Sequence, residues 1–325
     1  MEYRALGSTG LKISRIGLGG GNWGGIGSAP ALFGKGESEE EAFSLLDAAS
    51  GMGINFIDTA DAYGGGRSET AIGKWLKSRG AAARDQMLVS SKVFNPIGDG
   101  PNDRGLSRRH IRRQVEASLR RLGVDHLDMY LIHEPDRETP LPETLGTLDD
   151  LVHAGKIHYL GASNIEAWRL AKALGLAAHR GFERFEWVQP SYSLLDRGPE
   201  PELFPLCAEE GLGTTPYSPL AGGWLSGKYR AEEIYPDGSR MMLRPEPYLH
   251  LVQERTFRAL EAFRKAASGR GVTMAALAIA WALSHPQVTA VIVGPRRPEQ
   301  LEDARAALDI RLTREERADL AALFA

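Results

Sequence analysis

The chain has very little of several features that mark particular classes of protein. It contains one cysteine, Cys207, in 325 residues, which excludes an internal disulfide framework. The N-terminal segment MEYRALGSTGLKIS has no apolar stretch of the kind found in secretory signals. The longest apolar run, Met274 to Leu283, is much shorter than the roughly 18 to 20 residues that cross a bilayer. We therefore expect a cytoplasmic protein without a membrane span, in which this run is a buried helix.

A strong excess of either charge is also missing. The formal net charge is −3, so no attraction to nucleic acid or to an anionic membrane is indicated. The chain has no Gly/Ser linker, internal repeat or low-complexity tract, and 42% of its residues are hydrophobic. This composition predicts one domain over residues 1–325 with a large core.

Short apolar runs alternate with longer segments of helical periodicity along most of the chain, which is typical of a parallel α/β sheet. Eight runs are predicted to be strands: 16–18, 56–59, 88–92, 127–133, 159–163, 187–190, 214–217 and 290–294. Helices are predicted at 38–52, 69–78, 108–122, 141–154, 166–174, 201–210, 249–268 and 299–308. Eight βα units predict a closed (β/α)8 TIM barrel, although a doubly wound sheet also places ligands at the carboxyl ends of its strands.

Two segments lie outside this alternation. RALGSTGLKIS is interpreted as an N-terminal β-hairpin that forms the barrel floor. Residues 313–324 are predicted to form an extra C-terminal helix, with Thr313 and Glu316 in capping-box spacing.

Four reactive side chains lie at or just beyond the carboxyl ends of three successive predicted strands: Asp58, Tyr63, Lys92 and His133. Reducing a carbonyl requires a hydride on carbon and a proton on oxygen, and Tyr63 is the candidate proton donor. A cation beside a phenol lowers its pKa, a role that suits Lys92, and Asp58 is the carboxylate expected to hold that cation. His133 is expected to hydrogen-bond the carbonyl oxygen. Each of these residues alone has an ordinary structural explanation, so the hypothesis depends on the whole set.

Gly19, Gly21 and Gly24 match the dinucleotide-binding pattern G-x-G-x-x-G. Such a pattern must open directly into a helix, whereas the next predicted helix begins only near Ser38. These glycines are therefore interpreted as a loop at the mouth of the first strand.

Two later segments are better suited to a dinucleotide. TPYSPLAGGWLSGKY leaves a strand for a glycine-interrupted loop that ends near Lys228, where backbone N–H groups are able to face phosphates. In VIVGPRRPEQLEDA, Arg296 and Arg297 precede a predicted helix start, which is also a favourable place for phosphate.

These segments together resemble signatures of the aldo-keto reductases, nearest the bacterial and potassium-channel β-subunit branches. The resemblance also includes NFIDTADAYGGGRSETAIGKWL, LRRLGVDHLDMYLIHEPD, GKIHYLGASN and VQPSYSLLDR, and it covers nearly the whole chain. It implies a TIM barrel that binds NADP(H), or NAD(H) as the alternative, and transfers hydride to a carbonyl. The tetrad of that family falls on Asp58, Tyr63, Lys92 and His133, with Tyr63 as general acid/base.

The resemblance also implies cofactor contacts. Those at the nicotinamide and the first loop are Gly20, Gly21, Ser163, Asn164, Gln189 and Tyr217. Those along the pyrophosphate and adenosine are Ser218, Leu220, Gly222, Lys228, Arg240, Gly294, Arg296, Gln300 and Asp303. Ala304 departs from the family, because many relatives carry Asn there, and this change removes a polar contact to the adenine.

The same resemblance favours NADP(H), because Arg296 suits a 2′-phosphate, while acidic neighbours such as Asp303 leave NAD(H) open. Candidate substrate contacts are Trp23, which otherwise packs under its loop, Phe94 and Glu134. An aldehyde, a ketone or a sugar carbonyl is the expected substrate, with aldose oxidation in the reverse direction as an alternative. A cofactor-sensing regulatory subunit with little turnover is a further alternative. No metal site is expected at His153 or His158, and a monomer is favoured over an oligomer.

Overall fold

Eight parallel strands form a closed barrel in the computed structural model, which describes residues 1–231 and 233–325. The barrel strands are β3 (Ile16–Gly19), β4 (Phe56–Asp58), β5 (Leu88–Val93), β6 (Leu127–Ile132), β7 (Ile157–Ser163), β8 (Phe185–Gln189), β9 (Gly213–Thr214) and β10 (Val291–Val293). From β3 to β9 each strand pairs with the next along the chain, and β10 pairs with β3. Backbone N–H groups of Ala290 and Ile292 donate to the carbonyls of Thr214 and Pro216, and these bonds join β10 to the β9 side of the sheet.

The barrel interior is a packed core rather than a pore, as expected for this architecture. Phe56 and Trp187 meet edge to face there, with ring centroids 6.2 Å apart. The predicted hairpin is present as the antiparallel strands β1 (Tyr3–Ala5) and β2 (Lys12–Ser14). Its buried side chains Leu6 and Ile13 belong to the same apolar cluster as Phe56 and Trp187. The hairpin therefore contributes directly to the barrel's interior core.

Helices cover the outside of the barrel. They are α1 (Glu39–Gly51), α2 (Arg67–Arg79), α3 (Ala81–Gln86), α4 (Arg108–Leu122), α5 (Leu141–His153), α6 (Ala167–Arg180), α7 (Leu203–Glu209), α8 (Arg240–Leu243), α9 (Glu254–Gly269), α10 (Met274–Leu283), α11 (Leu301–Ala307) and α12 (Arg314–Ala322). Both predicted capping boxes are present, Ser38 with Glu41 on α1 and Thr313 with Glu316 on α12. Every residue of α10 is buried, so this helix is apolar on all sides.

Several element boundaries differ from those predicted. The strand predicted at 214–217 ends at Thr214, because Pro216 has no N–H to continue the ladder. The helix predicted at 249–268 begins only at Glu254, after a 3₁₀ turn over Glu246–Leu251. The short helices α3 and α8 were not predicted, since segments of that length carry little periodicity.

Among the described residues, no single helix is both long enough and apolar enough to span a bilayer. Helices α9 and α10 reach that length only together, and the chain bends by 91° between them.

Candidate functional site

Three strands bring the predicted catalytic side chains to one end of the barrel. Asp58 is the last residue of β4, Lys92 lies near the end of β5, and His133 directly follows β6. Since these strands are parallel neighbours, their carboxyl ends meet at the same mouth. Tyr63 lies on the loop after β4 and opens a 3₁₀ turn that contains Gly64 and Gly65. Both glycines have positive φ, a conformation that other residues rarely adopt, so this turn requires them.

Lys92 is the centre of the arrangement and is fully buried. Its Nζ donates to Asp58 Oδ2 at 2.6 Å and to the carbonyl of Thr59 at 2.9 Å. The same Nζ lies 3.4 Å from Tyr63 Oη, which is its third partner. All three ammonium hydrogens therefore have an acceptor, which makes burial of the charge tolerable.

Tyr63 and His133 face each other across the mouth, and both are half-buried. Tyr63 Oη lies 3.4 Å from His133 Nε2, and the two rings meet edge to face. A carbonyl oxygen placed at this point is able to contact the phenol and the imidazole together.

Burial and charge set the protonation states of these groups. Burial raises the pKa of Tyr63, while the Lys92 ammonium lowers it, and burial has the larger effect. The expected influence of Lys92 is present, yet the phenol keeps its proton at neutral pH. Burial also acts to lower the pKa of Lys92, but Asp58 and Tyr63 more than offset this and the net direction is upward. Burial, followed by the Lys92 charge, holds the pKa of His133 well below its usual value, so the imidazole is neutral.

Two neighbours complete the cluster. Asn95 Nδ2 lies 3.0 Å from His133 Nδ1 and 3.2 Å from Ser28 Oγ. An N–H donated to Nδ1 leaves the imidazole proton on Nε2, which faces Tyr63. Gln189 Nε2 donates to Asp58 Oδ1 at 2.8 Å, so both oxygens of Asp58 have partners. The sequence predictions omitted Asn95, and its only signal was a polar side chain just after β5. Gln189 was assigned to the cofactor rather than to Asp58.

The residues expected at the nicotinamide lie beside this cluster. Ser163 Oγ donates to the carbonyl of Gln189 at 2.8 Å, and Asn164 Nδ2 donates to the carbonyl of His133 at 3.1 Å. Tyr217 Oη in turn donates to Asn164 Oδ1 at 2.9 Å. Hydrogen bonds thus connect the ends of β6, β7 and β8 and the loop after β9 in one network.

Three loops, which follow β3, β9 and β10, meet on the other side of the same barrel mouth, and this part of the mouth is called the rim below. Arg240 Nη2 donates to Asn22 Oδ1 at 2.8 Å, which links the second loop to the first. Arg296 Nε donates to Glu37 Oε1 at 2.6 Å, and Arg296 Nη1 donates to the carbonyl of Gly238 at 2.5 Å. Asn22 and Glu37 were not predicted as site residues, because nothing local in the sequence indicates their distant partners.

The remaining predicted cofactor contacts line these loops. Gly20 contacts Trp23 and Ser68 so closely that a side chain would not fit, and Gly21 faces the Tyr63 ring. Gln300 accepts from the backbone N–H groups of Arg296 and Arg297, whereas Asp303 accepts from Thr273. The others lie on the loops after β9 and β10: Ser218, Leu220, Gly222, Lys228 and Gly294.

This rim fits a dinucleotide on chemical grounds. Lys228, Arg240 and Arg296 are cations on adjoining loops, which suits phosphates. The buried Glu37 has one oxygen, Oε2, without a hydrogen-bond partner among the described residues. Ala304, where the resemblance implies Asn, is buried in the core.

The candidate substrate contacts differ in exposure. Trp23 is 1% exposed and packs beneath its loop. Phe94 is half-buried beside the mouth, and Glu134 is exposed to solvent.

Another buried carboxyl, that of Asp61, lies behind the site. Asp61 is 1% exposed, and neither of its carboxyl oxygens has a hydrogen-bond partner among the described residues. Burial, with the nearby Glu69, raises the pKa of Asp61 well above its usual value. Glu69 differs, because it accepts from Ser91 Oγ at 2.5 Å and from Arg121 Nε at 2.6 Å.

A further group of candidate ligands lies at the other end of the barrel, where His126, Asp128 and His158 approach within 4.8 Å. Arg84 donates to Asp128 Oδ2 at 3.0 Å, and its Nη2 lies 2.9 Å from His126 Nε2. A guanidinium therefore already supplies positive charge among these ligands, and a metal ion would have to displace it.

Comparison with known proteins adds to this geometry. The sequence pattern described as the Aldo/keto reductase family matches residues 15–324. An uncharacterized oxidoreductase of Bacillus subtilis (strain 168), YrpG, is 40% identical over 97% of this chain and 93% of its own. A probable voltage-gated potassium channel subunit beta of Arabidopsis thaliana is 36% identical over 95% of this chain and 92% of its own. An NADH-specific methylglyoxal reductase of Escherichia coli (strain K12) is 34% identical over 96% of this chain and 95% of its own.

Proposed function

Because the chain belongs to the aldo/keto reductase family, we propose that it reduces a small aldehyde or ketone to an alcohol with a reduced nicotinamide dinucleotide. The observation that supports this most directly is the position of Tyr63 Oη, 3.4 Å from both Lys92 Nζ and His133 Nε2. A proton donor, a fixed cation and a neutral hydrogen-bond donor thus converge on one point. A reduced dinucleotide held by these loops would supply the hydride for the carbonyl carbon.

In the proposed reduction, the carbonyl oxygen accepts hydrogen bonds from Tyr63 and from Nε2–H of His133. As negative charge develops on that oxygen, the proton moves to it from Tyr63 Oη. The Lys92 ammonium then stabilises the phenolate, and Asp58 keeps that ammonium in place. In the reverse direction, the phenolate accepts the proton, so the same residues serve oxidation of an aldose or other alcohol.

The pKa of Tyr63 sets the expected pH dependence. Because burial raises that pKa, the phenol remains protonated through neutral pH. We expect the reduction rate to stay level near neutrality and to fall at alkaline pH, as Tyr63 loses its proton. The rate of alcohol oxidation should instead rise at alkaline pH, because the phenolate of Tyr63 is the form that accepts the proton.

The test is the absorbance of reduced nicotinamide with NADH or NADPH and a panel of carbonyl compounds, with methylglyoxal and keto-sugars included. Tyr63→Phe should lower turnover by about 10²-fold or more, yet leave cofactor binding unchanged. Tyr159→Phe is the matched control, since Tyr159 lies earlier on β7 and outside the site. Turnover retained in Tyr63→Phe would overturn the assignment of the proton donor.

A second candidate function is a cofactor-sensing regulatory subunit, which the similarity to a probable potassium channel subunit favours. It predicts tight dinucleotide binding with no turnover on any carbonyl, or on aldoses in reverse. We place the protein in the cytoplasm and expect a monomer, which cell fractionation and light scattering would check.

A further inference from the structure

We propose that Glu37 selects the cofactor by accepting a hydrogen bond from the 2′-hydroxyl of NAD(H) and disfavouring the 2′-phosphate of NADP(H). This inference rests on the proposed function, because it requires a dinucleotide in the groove between the loops that follow β3, β9 and β10. It gives Arg296 a different role from the one expected from sequence, where that residue favours NADP(H).

Glu37 is held rigidly. Its side chain is 2% exposed, and its backbone N–H donates to the carbonyl of Asn22 at 3.0 Å. The carbonyl of Glu37 accepts from the N–H of Gly24 at 2.8 Å. The carboxylate is therefore positioned before any ligand arrives.

The two carboxylate oxygens of Glu37 differ in their hydrogen bonding. Oε1 accepts from Arg296 Nε at 2.6 Å, whereas Oε2 is buried and lacks a hydrogen-bond partner among the described residues. A buried acceptor without a donor is unfavourable, so a neutral donor beside it gains a hydrogen bond. A ribose hydroxyl is such a donor, and acidic side chains bind this hydroxyl in other dinucleotide sites.

Arg296 is correspondingly less available to a phosphate. An arginine binds phosphate best through two parallel N–H groups on one edge of its guanidinium. Nε is already bonded to Glu37, and Nη1 is bonded to the carbonyl of Gly238 at 2.5 Å. A 2′-phosphate on the Nε edge of Arg296 would have to displace Glu37, and one held by Nη2 alone would still lie beside the Glu37 carboxylate, a like charge.

The neighbouring cations do not reverse this preference. Lys228 follows β9 and Arg240 begins α8, and the resemblance places both along the pyrophosphate and the adenosine. The pyrophosphate is common to both dinucleotides, and Arg240 already donates to Asn22 Oδ1. Glu37 and Arg296 are the groups that distinguish a hydroxyl from a phosphate.

The experiment measures binding rather than turnover. Quenching of tryptophan fluorescence gives the dissociation constants of NADH and NADPH, and competition gives those of 5′-ADP and 2′,5′-ADP. Wild type should favour NADH over NADPH, and 5′-ADP over 2′,5′-ADP, by about tenfold. Glu37→Gln removes the charge at nearly constant size, so it should shift both ratios about tenfold toward the phosphorylated ligand.

Glu299→Gln is the matched control, because it removes an exposed carboxylate from the same loop as Arg296 and should change each ratio by less than about twofold. A wild-type preference for NADPH, or unchanged ratios in Glu37→Gln, would overturn the role of Glu37. If Glu37→Gln does not fold, the wild-type comparison of the two ADP ligands decides. Failure of both dinucleotides to bind would instead overturn the proposed function and this inference with it.

Discussion

Asp58 and Glu37 are both buried carboxylates at the barrel mouth, and each accepts a hydrogen bond from a cation at 2.6 Å. Asp58 ends a strand, its cation Lys92 is fully buried on the adjacent strand, and both of its oxygens are bonded. Glu37 lies on a loop, its cation Arg296 is exposed on another loop, and one of its oxygens has no hydrogen-bond partner among the described residues.

The two carboxylates therefore belong to regions with different tasks, catalysis around Asp58 and ligand binding around Glu37. At the catalytic cluster, the strands hold every charge in place before a substrate arrives, which is what stabilisation of a developing charge requires. At the adenosine end, the loops leave hydrogen-bonding capacity for a ligand. Changes in the first region should therefore act on turnover and stability, and changes in the second on binding.

The largest effect is expected from Lys92→Met, which leaves the Asp58 carboxylate buried without its cation. Removing one partner of a buried ion pair costs about 3–5 kcal/mol of the free energy of unfolding. Chemical denaturation measures this cost. The double variant Asp58→Asn with Lys92→Met should recover much of the stability but none of the turnover. Full stability of the single variant would show that Asp58 and Lys92 are not coupled as described.

Asp61→Asn tests a buried carboxyl that, unlike Asp58, is bonded to no cation among the described residues. Because the pKa of Asp61 is raised in the folded state, the native protein binds a proton that the unfolded chain releases above its ordinary pKa of about 3.9. Stability is thus lost as pH rises above that value. The variant should be more stable than wild type at pH 7 to 8, and this difference should shrink as the pH falls. Melting temperatures at several pH values check this, and a gap that widens toward acid pH would contradict it.

Asn95→Leu should lower kcat roughly tenfold, or about 1.4 kcal/mol, because His133 loses the group that keeps its proton on Nε2. Dinucleotide affinity should not change. Nitrogen NMR shifts of the imidazole report the tautomer directly, and Asn102→Leu, at an exposed position, is the control. An unchanged His133 tautomer in Asn95→Leu would show that Asn95 does not keep the imidazole proton on Nε2.

The smallest effect is expected from Asn22→Ala in the groove. Loss of the hydrogen bond to Arg240 should weaken dinucleotide binding by a few-fold, in line with about 0.5–1.5 kcal/mol for one hydrogen bond. Titration of NADH and steady-state kinetics separate binding from kcat, which should stay constant. A fall in kcat at unchanged affinity would contradict the division between the two regions.

Much of the fold could be predicted from sequence because its signals are local. Apolar runs mark the strands, and a side chain that ends a strand or directly follows it lies at the carboxyl end, as for Asp58 and His133. The capping boxes at Ser38 and Thr313 are likewise set within four residues. The end of β9 was misplaced, because an apolar run does not show where a ladder stops.

The sequence by itself determined the alternation of strands and helices, the capped helix starts at Ser38 and Thr313 and the residue types available at the mouth, since each depends on neighbours along the chain. Only the tertiary structure decided which groups pair. Gln189 reaches Asp58 across 131 residues, and Arg296 reaches Glu37 across 259. Burial of each group depends in the same way on the closed barrel. A hydrogen bond or a pKa depends on distances of a few ångströms in space, and those distances exist only after the barrel closes.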